Sequence, residues 1–259
     1  MSVLFNFWLN KILEHAVVYS ALNIKRHLPI KIIMLKTTNS SVLDRIDEIG
    51  SQHLMTSIET PMRPDAFDKS DNEKIEIIAE HFEKIMETMG LDLNDDSLSG
   101  TPRRVAKMFI QEKFKGLNKM NKPSISLFDN AYQYNKMLIE KNIKVESTCE
   151  HHFLPITGTA HVAYISTGKV IGLSKINRIV DYYARRPQVQ ERLTKQIVEA
   201  LKDALETNDV IVAMEAKHHC VSSRGIEDPH STTVTIDYSG KFDEQDLRNE
   251  FMDYVRNKM

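Results

Sequence analysis

The order of the secondary-structure signals narrows the available folds more than any other feature of this chain. Segments 144–148, 157–165, 210–217 and 232–238 are short and rich in β-branched residues, as strands are. Two helical runs, 174–185 and 187–206, lie between the second strand and the third. The later run carries Val189, Leu193, Ile197, Ala200, Leu201 and Leu205 on one face. Strands and helices therefore come in pairs, ββ, αα, ββ, not in single alternation. A doubly wound parallel sheet does not suit that order. An α+β arrangement does, with an antiparallel sheet and a helical layer on one side.

Helices precede this core. Ser70 and Glu73 have capping-box spacing, and Ile75, Ile78, Phe82, Ile85, Met86 and Met89 recur at helical period until Gly90. Thr101-Pro102 opens a second helix, with proline where a missing N–H costs nothing. Residues 1–36 are apolar and acid-poor, with Lys11, Lys25, Arg26, Lys31 and Lys36 against Glu14 alone. Lys11 and Glu14 interrupt what a secretory signal would keep apolar. The stretch reads as an accessory or a spurious extension, the latter with Met34 as the working start. Residues 37–73 form an acidic linker with Pro61, Pro64 and one short helix near 42–49. Residues 74–259 are the expected catalytic domain.

Composition excludes several function classes. The net charge of −2 over 259 residues argues against a basic nucleic-acid coat, so any anion site must be local. No run approaches the ~20 apolar residues of a membrane helix. Cys149 and Cys220 are the two cysteines. So few thiols suit a reducing compartment, the cytoplasm, where cysteines serve metals or catalysis.

Both cysteines and four of the ten histidines fall in two strand-end turns, Cys149-Glu150-His151-His152 and His218-His219-Cys220. Thiolate and imidazole donors at such turns are what tetrahedral zinc draws on. Without a C-x-x-C pair, three protein ligands and one open position are expected, as in a catalytic site where the metal brings water's pKa towards neutrality. Two ligands would come from the first turn and one from the second. The spare imidazoles then suit proton transfer. Between the turns, Lys175, Arg178, Arg185, Arg186, Arg192 and Lys195 outnumber Asp181 and Glu191. Ser174, Lys175 and Arg178 begin a helix, whose N–H groups and dipole favour anions. With Arg224, Arg103 and Arg104 they form a candidate polyphosphate clamp.

These stretches resemble GTP cyclohydrolase I. The resemblance rests on Ser147-Thr148-Cys149-Glu150-His151-His152-Phe153, on the run from Val170 through Leu173-Ser174-Lys175 to Arg178 and Val180, on Arg186-Pro187-Gln188-Val189-Gln190-Glu191-Arg192, on His218-His219-Cys220 with Arg224-Gly225, and on Thr101-Pro102-Arg103-Arg104. It covers about residues 70–259. It implies zinc on Cys149, His152 and Cys220, and proton transfer by His151 and His218. It implies triphosphate contacts from Lys175, Arg178 and Arg224, with Arg104 reaching in from a neighbouring subunit and Ser174 beside the ribose and phosphates. Gln190 and Glu191 correspond to the purine-recognition pair. The implied fold is the tunnelling fold, built of ββααββ units in a toroidal homodecamer with sites between subunits. The implied reaction is hydrolytic opening of GTP to 7,8-dihydroneopterin triphosphate, an early step towards folate and other pterins. Ser222 and Ser223 stand where some relatives carry a lysine, which removes one possible phosphate contact. A cytidine deaminase would show H-x-E with P-C-x-x-C, and this chain has neither. A structural zinc module or a non-catalytic nucleotide-binding scaffold is the non-enzymatic alternative.

Overall fold

The computed structural model describes residues 57–256. The extension over 1–36 and the short helix at 42–49 lie outside the described residues. Helix α1 (Asp71–Thr88) starts on the expected capping box: Glu73 N donates to Ser70 Oγ at 3.3 Å and Ser70 N donates to Glu73 Oε2 at 2.8 Å. Ile75 and Met86 are buried, while Ile85 and Met89 stay exposed. Helix α2 (Thr101–Lys107) follows with Pro102 in its first turn and runs on into a π-helical stretch, Met108–Lys113.

The core then unfolds in chain order. Strands β1 (Leu127–Asp129), β2 (Met137–Cys149), β3 (Pro155–Ile165) and β4 (Lys169–Ile171) lead to α3 (Leu173–Ala184), β5 (Pro187–Gln188) and α4 (Gln190–Leu205). Strand β6 (Val210–His218), α5 (His219–Ser222), β7 (Thr233–Ser239) and α6 (Gln245–Arg256) complete it. One sheet has the order β5-β2-β3-β6-β7, and β1 pairs separately with β4. This α+β architecture agrees with the paired order read from the sequence.

Two details differ from that reading. The sheet is mixed, because β5 runs parallel to the end of β2, matching Thr148 with Pro187 and Cys149 with Gln188. Helix α4 accordingly begins at Gln190, three residues later than expected. Helices also cover both faces. Val162, Tyr164, Val210, Val212 and Met214 pack with Leu193, Ile197 and Leu201 of α4 on one side. Ala163, Ile165, Ile211 and Ala213 pack with Phe242 and Phe251 on the other. Strands that are apolar at every position, not at alternate ones, bury both faces. Full burial of each large aliphatic side chain contributes about 1.5–3 kcal/mol.

A β-bulge decides which face the end of β2 presents. Glu140 pairs with Val162 and Ile143 with Ala160, so Lys141 and Asn142 together oppose His161. Asn142 takes a left-handed φ of 57°, and its N–H donates to His161 Nδ1 at 3.3 Å. The extra residue reverses the alternation. Met137 and Ile139 face the α6 side, whereas Ile143 and Val145 face α3 and α4. Cys149 shares that parity and so sits on the side covered by α3 and α4.

Segment 57–60, read from the sequence as linker, is fastened to the core. Gln196 is buried, and its Nε2 donates to Ile58 O at 2.8 Å. Arg186, stacked over Tyr182 and Tyr183, reaches Glu59 at 3.4 Å.

Candidate metal and anion site

Antiparallel pairing brings the two ligand turns together. Thr148 pairs with Pro155, so the turn between β2 and β3 is tight: Phe153 N donates to Cys149 O at 2.9 Å and Cys149 N to Leu154 O at 2.8 Å. Ile156, next on β3, pairs with His218 at the end of β6. Chain distance therefore collapses to one strand spacing. Phe153 closes the turn at a left-handed φ of 54°, held by edge contacts with Phe109 and Phe114 at ring separations of 6.2 and 5.3 Å.

Cys149, His152 and Cys220 converge, with one donor atom from each lying within 4.8 Å of the others. Cys149 is buried, Cys220 is partly covered, and neither is in a disulfide. Together with Ile156 and Ala216 they end the apolar core. Burial first, and then the neighbouring Cys149 thiol, push the Cys220 thiol up, against the pull of Arg224. Two thiols and an imidazole are a borderline-soft donor set that fits zinc.

His151, His218 and His219 are the other imidazoles of the two turns. His151 Nδ1 lies 3.7 Å from Cys149 Sγ. His218 Nε2 lies 2.8 Å from Gln190 Oε1. Burial lowers the His218 pKa, with Glu191 opposing the shift. His219 is bonded to Thr157 Oγ1 at 3.2 Å. Arg224 Nη1 lies 2.9 Å from His152 Nε2, which ties a clamp candidate directly to the triad. A neutral imidazole has one lone pair, so that bond and a metal bond at the same nitrogen exclude each other.

Among the described residues, the basic patch divides into paired and unpaired cations. Arg185 pairs with Asp181 and Glu146, both at 2.9 Å. Arg186 is buried over its two tyrosines, and Arg192 pairs with Glu150 at 2.6 Å. Those three arginines are committed to contacts within the chain. Lys175 and Arg178 have no carboxylate at salt-bridge distance among the described residues. Both follow Gly172 and Ser174 in the opening turns of α3, the more exposed Arg178 lining a cavity of about 500 Å³ with Lys115, Gln111 and Asp181. Glu191 is exposed in the first turn of α4. Gln190, next to it, is buried at 1% exposure, and its amide nitrogen donates to Thr233 O at 2.9 Å and Thr235 Oγ1 at 3.1 Å. Arg104 is exposed on α2, its guanidinium against Gly100, while Arg103 pairs with Glu76 at 2.6 Å. The pairing of Glu150 with Arg192 was not read from the sequence. Its one signal there is an acid inside the ligand turn and an arginine at a helix start.

Comparison with known proteins agrees with this geometry. The family model for GTP cyclohydrolase I matches residues 78–256. GTP cyclohydrolase 1 of Flavobacterium johnsoniae is 59% identical over 213 residues, covering 82% of this chain and 96% of that protein. The enzyme of the same name from Aeromonas hydrophila is 50% identical over 196 residues, covering 75% and 89%. That of Salmonella arizonae is 50% identical over 201 residues, covering 77% and 90%. The matched span holds both Cys/His turns and helices α3 and α4, and on it the chain belongs to the GTP cyclohydrolase I family.

Proposed function

We propose that this chain is a zinc-dependent GTP cyclohydrolase I. It would open the imidazole ring of GTP by hydrolysis, release C8 as formate and rearrange the ribose to give 7,8-dihydroneopterin triphosphate. The observation that carries the reading is the convergence of Cys149, His152 and Cys220 within 4.8 Å, in a family member with His151 and His218 in the same two turns. Those three residues would hold the zinc. When bound, zinc supplies a Lewis acid that brings the pKa of water towards neutrality.

The chain's own groups do the rest. Gln190 Oε1 accepts from His218 Nε2–H, which leaves the His218 Nδ1 lone pair to take a proton and return it. His151 shares the proton transfers at the purine ring. Glu191 accepts from guanine N1–H and the 2-amino group. Lys175, Arg178 and Arg224 hold the triphosphate, with Ser174 at the same helix start and Arg104 contributed by a neighbouring copy. Contacts to the remote phosphates then orient C8 against the reacting groups.

The scaffold reading is the tunnelling fold in a toroidal homodecamer. Strand β7 supports it: this outer strand exposes Val234 and Ile236 at 57% and 42%, and an apolar edge calls for a partner. Two reduced cysteines suit the cytoplasm.

Incubation with GTP, followed by oxidation, should yield a fluorescent pterin, and native mass should give a multiple of ten chains. A zinc-loaded protein that leaves GTP intact would refute the enzymatic reading.

A further inference from the structure

We propose that the first turn of α4 is a splint for the metal ligands, with Arg192 as the positioning residue that fixes the turn bearing Cys149 and His152. The inference rests on the zinc reading above and extends it to Arg192 and Glu150, to which that reading gives no contact with metal or substrate.

Both terminal nitrogens of Arg192 converge on Glu150 Oε2, at 2.8 and 2.6 Å. Glu150 lies between Cys149 and His151, inside the ligand turn. The pair is well covered, with side-chain exposures of 8% and 24%. The backbone adds a second fastening on the same side, since Glu150 N donates to Gln188 O at 3.0 Å, next to the pairing of Cys149 with Gln188. Two residues before Arg192, Gln190 grips His218, which is two residues before Cys220. One helical turn thus holds both ligand turns, and holds them by side chains that leave the donor atoms clear.

A charge pair this covered is poor evidence of stabilisation in itself. Replacing both partners often costs little, whereas removing one leaves an uncompensated charge. What the pair supplies is geometry. Two donors on one oxygen fix Glu150, and with it the spacing of Cys149 and His152. Partners that orient metal ligands in this indirect way are typically worth about 10–100-fold in metal affinity.

The test uses the full chain, stripped of metal and titrated with zinc alone against a chromophoric chelator, with thermal unfolding measured on the same samples. Arg192→Ala and Glu150→Ala should each weaken zinc binding by about 10–100-fold. The double variant should regain thermal stability, since neither charge is then left without its partner, while its zinc affinity stays low. Zinc affinity that returns together with stability overturns the positioning role, as do single variants within twofold of the parent. Should Arg192→Ala fail to fold, Arg192→Lys keeps the charge without the forked donors. Weakened zinc binding by that variant supports the role, and parental affinity overturns it. A parent chain that takes up no zinc overturns the metal reading and this one together, and is told apart because parent and variants are then alike.

Discussion

His218 and Gln190 are joined at 2.8 Å through the one Gln190 atom that can accept. The amide nitrogen is already committed to Thr233 O and Thr235 Oγ1, so the side chain cannot turn over without losing both. The imidazole is therefore held with its proton on Nε2 and its lone pair on Nδ1. Gln190→Ala should lower kcat at least about tenfold, a part of the 10²–10⁴ that positioned acid–base groups supply. KM for GTP should change little. Steady-state kinetics decide the matter: a raised KM with kcat unchanged would place Gln190 on the purine instead.

The proposed metal role of Cys149, His152 and Cys220 makes a separate prediction. Cys149→Ser or Cys220→Ser should lose zinc and turnover together, because a hydroxyl replaces a thiolate ligand. His218→Ala should retain zinc and lose most of the rate. Metal analysis of each purified variant beside its GTP assay checks both. A zinc-free but active Cys220→Ser protein would end the metal role.

Glu191 is exposed in the same helical turn in which Gln190 is buried. That contrast leaves the carboxylate accessible, and the proposed contact with the base is tested there. Two hydrogen bonds to a charged acceptor are worth about 1.5–3 kcal/mol each, so Glu191→Ala should cost more than about 100-fold in kcat/KM for GTP. Competition between GTP and inosine triphosphate, which lacks the 2-amino group, gives the readout. Unchanged preference would remove Glu191 from recognition.

Much of this was legible from residue types alone. β-Branched runs marked four strands, Ser70 and Glu73 marked a helix start, and clustered Cys and His marked the site. What stayed hidden depends on pairing. That Ile156 opposes His218, and so brings Cys220 to Cys149, follows from strand register, which no local pattern displays. The bulge at Asn142 is equally silent, since one polar residue at positive φ reverses the faces of a 13-residue strand. The two-residue β5 is too short to leave a periodic trace. Helix α6 carries Leu247, Phe251, Met252 and Val255 among many charges, and its purpose appears only once the second apolar sheet face is seen. In the basic patch, charge alone could not separate Arg185, Arg186 and Arg192, which are paired or stacked within the chain, from Lys175 and Arg178.

The cluster of Asp181, Glu146, Arg185 and Lys115 predicts an acid-sensitive contribution to stability. Burial pushes the Asp181 carboxyl up, but Lys115 and Arg185 outweigh it, and the net shift is below the ordinary 3.8. Lys144 and Arg185 lower Glu146 from 4.5. In both cases the unfolded chain binds protons first as pH falls, so stability rises with pH through this window. The contribution should be complete above the ordinary carboxylate values and vanish as pH drops through the lowered ones. Thermal unfolding between pH 3 and 6 should show a shallower acid slope for Asp181→Asn than for the parent. Equal slopes would mean that the pairing is already lost in solution.

Gly158 marks a close approach of β3 to β6, two residues along from Ile156. It pairs with Ala216, and a Cβ there would run into Glu215 O and the Ala216 backbone and methyl group. These atoms belong to a central strand with neighbours on both sides, so they have little room to yield. Gly158→Ala should destabilise the fold by about 1–3 kcal/mol, the usual cost of overpacking. For a domain of this size that lowers Tm by about 2–4 °C per kcal/mol. Ala216 also packs with Cys149, Ile156 and Cys220, so strands pushed apart at residue 158 would spread the two thiols. The variant should therefore lose zinc affinity at temperatures where it remains folded, which calorimetry and zinc titration on one sample can test. Parental zinc affinity in a measurably destabilised protein would show that strand spacing at Gly158 and thiol spacing at the sheet end are independent.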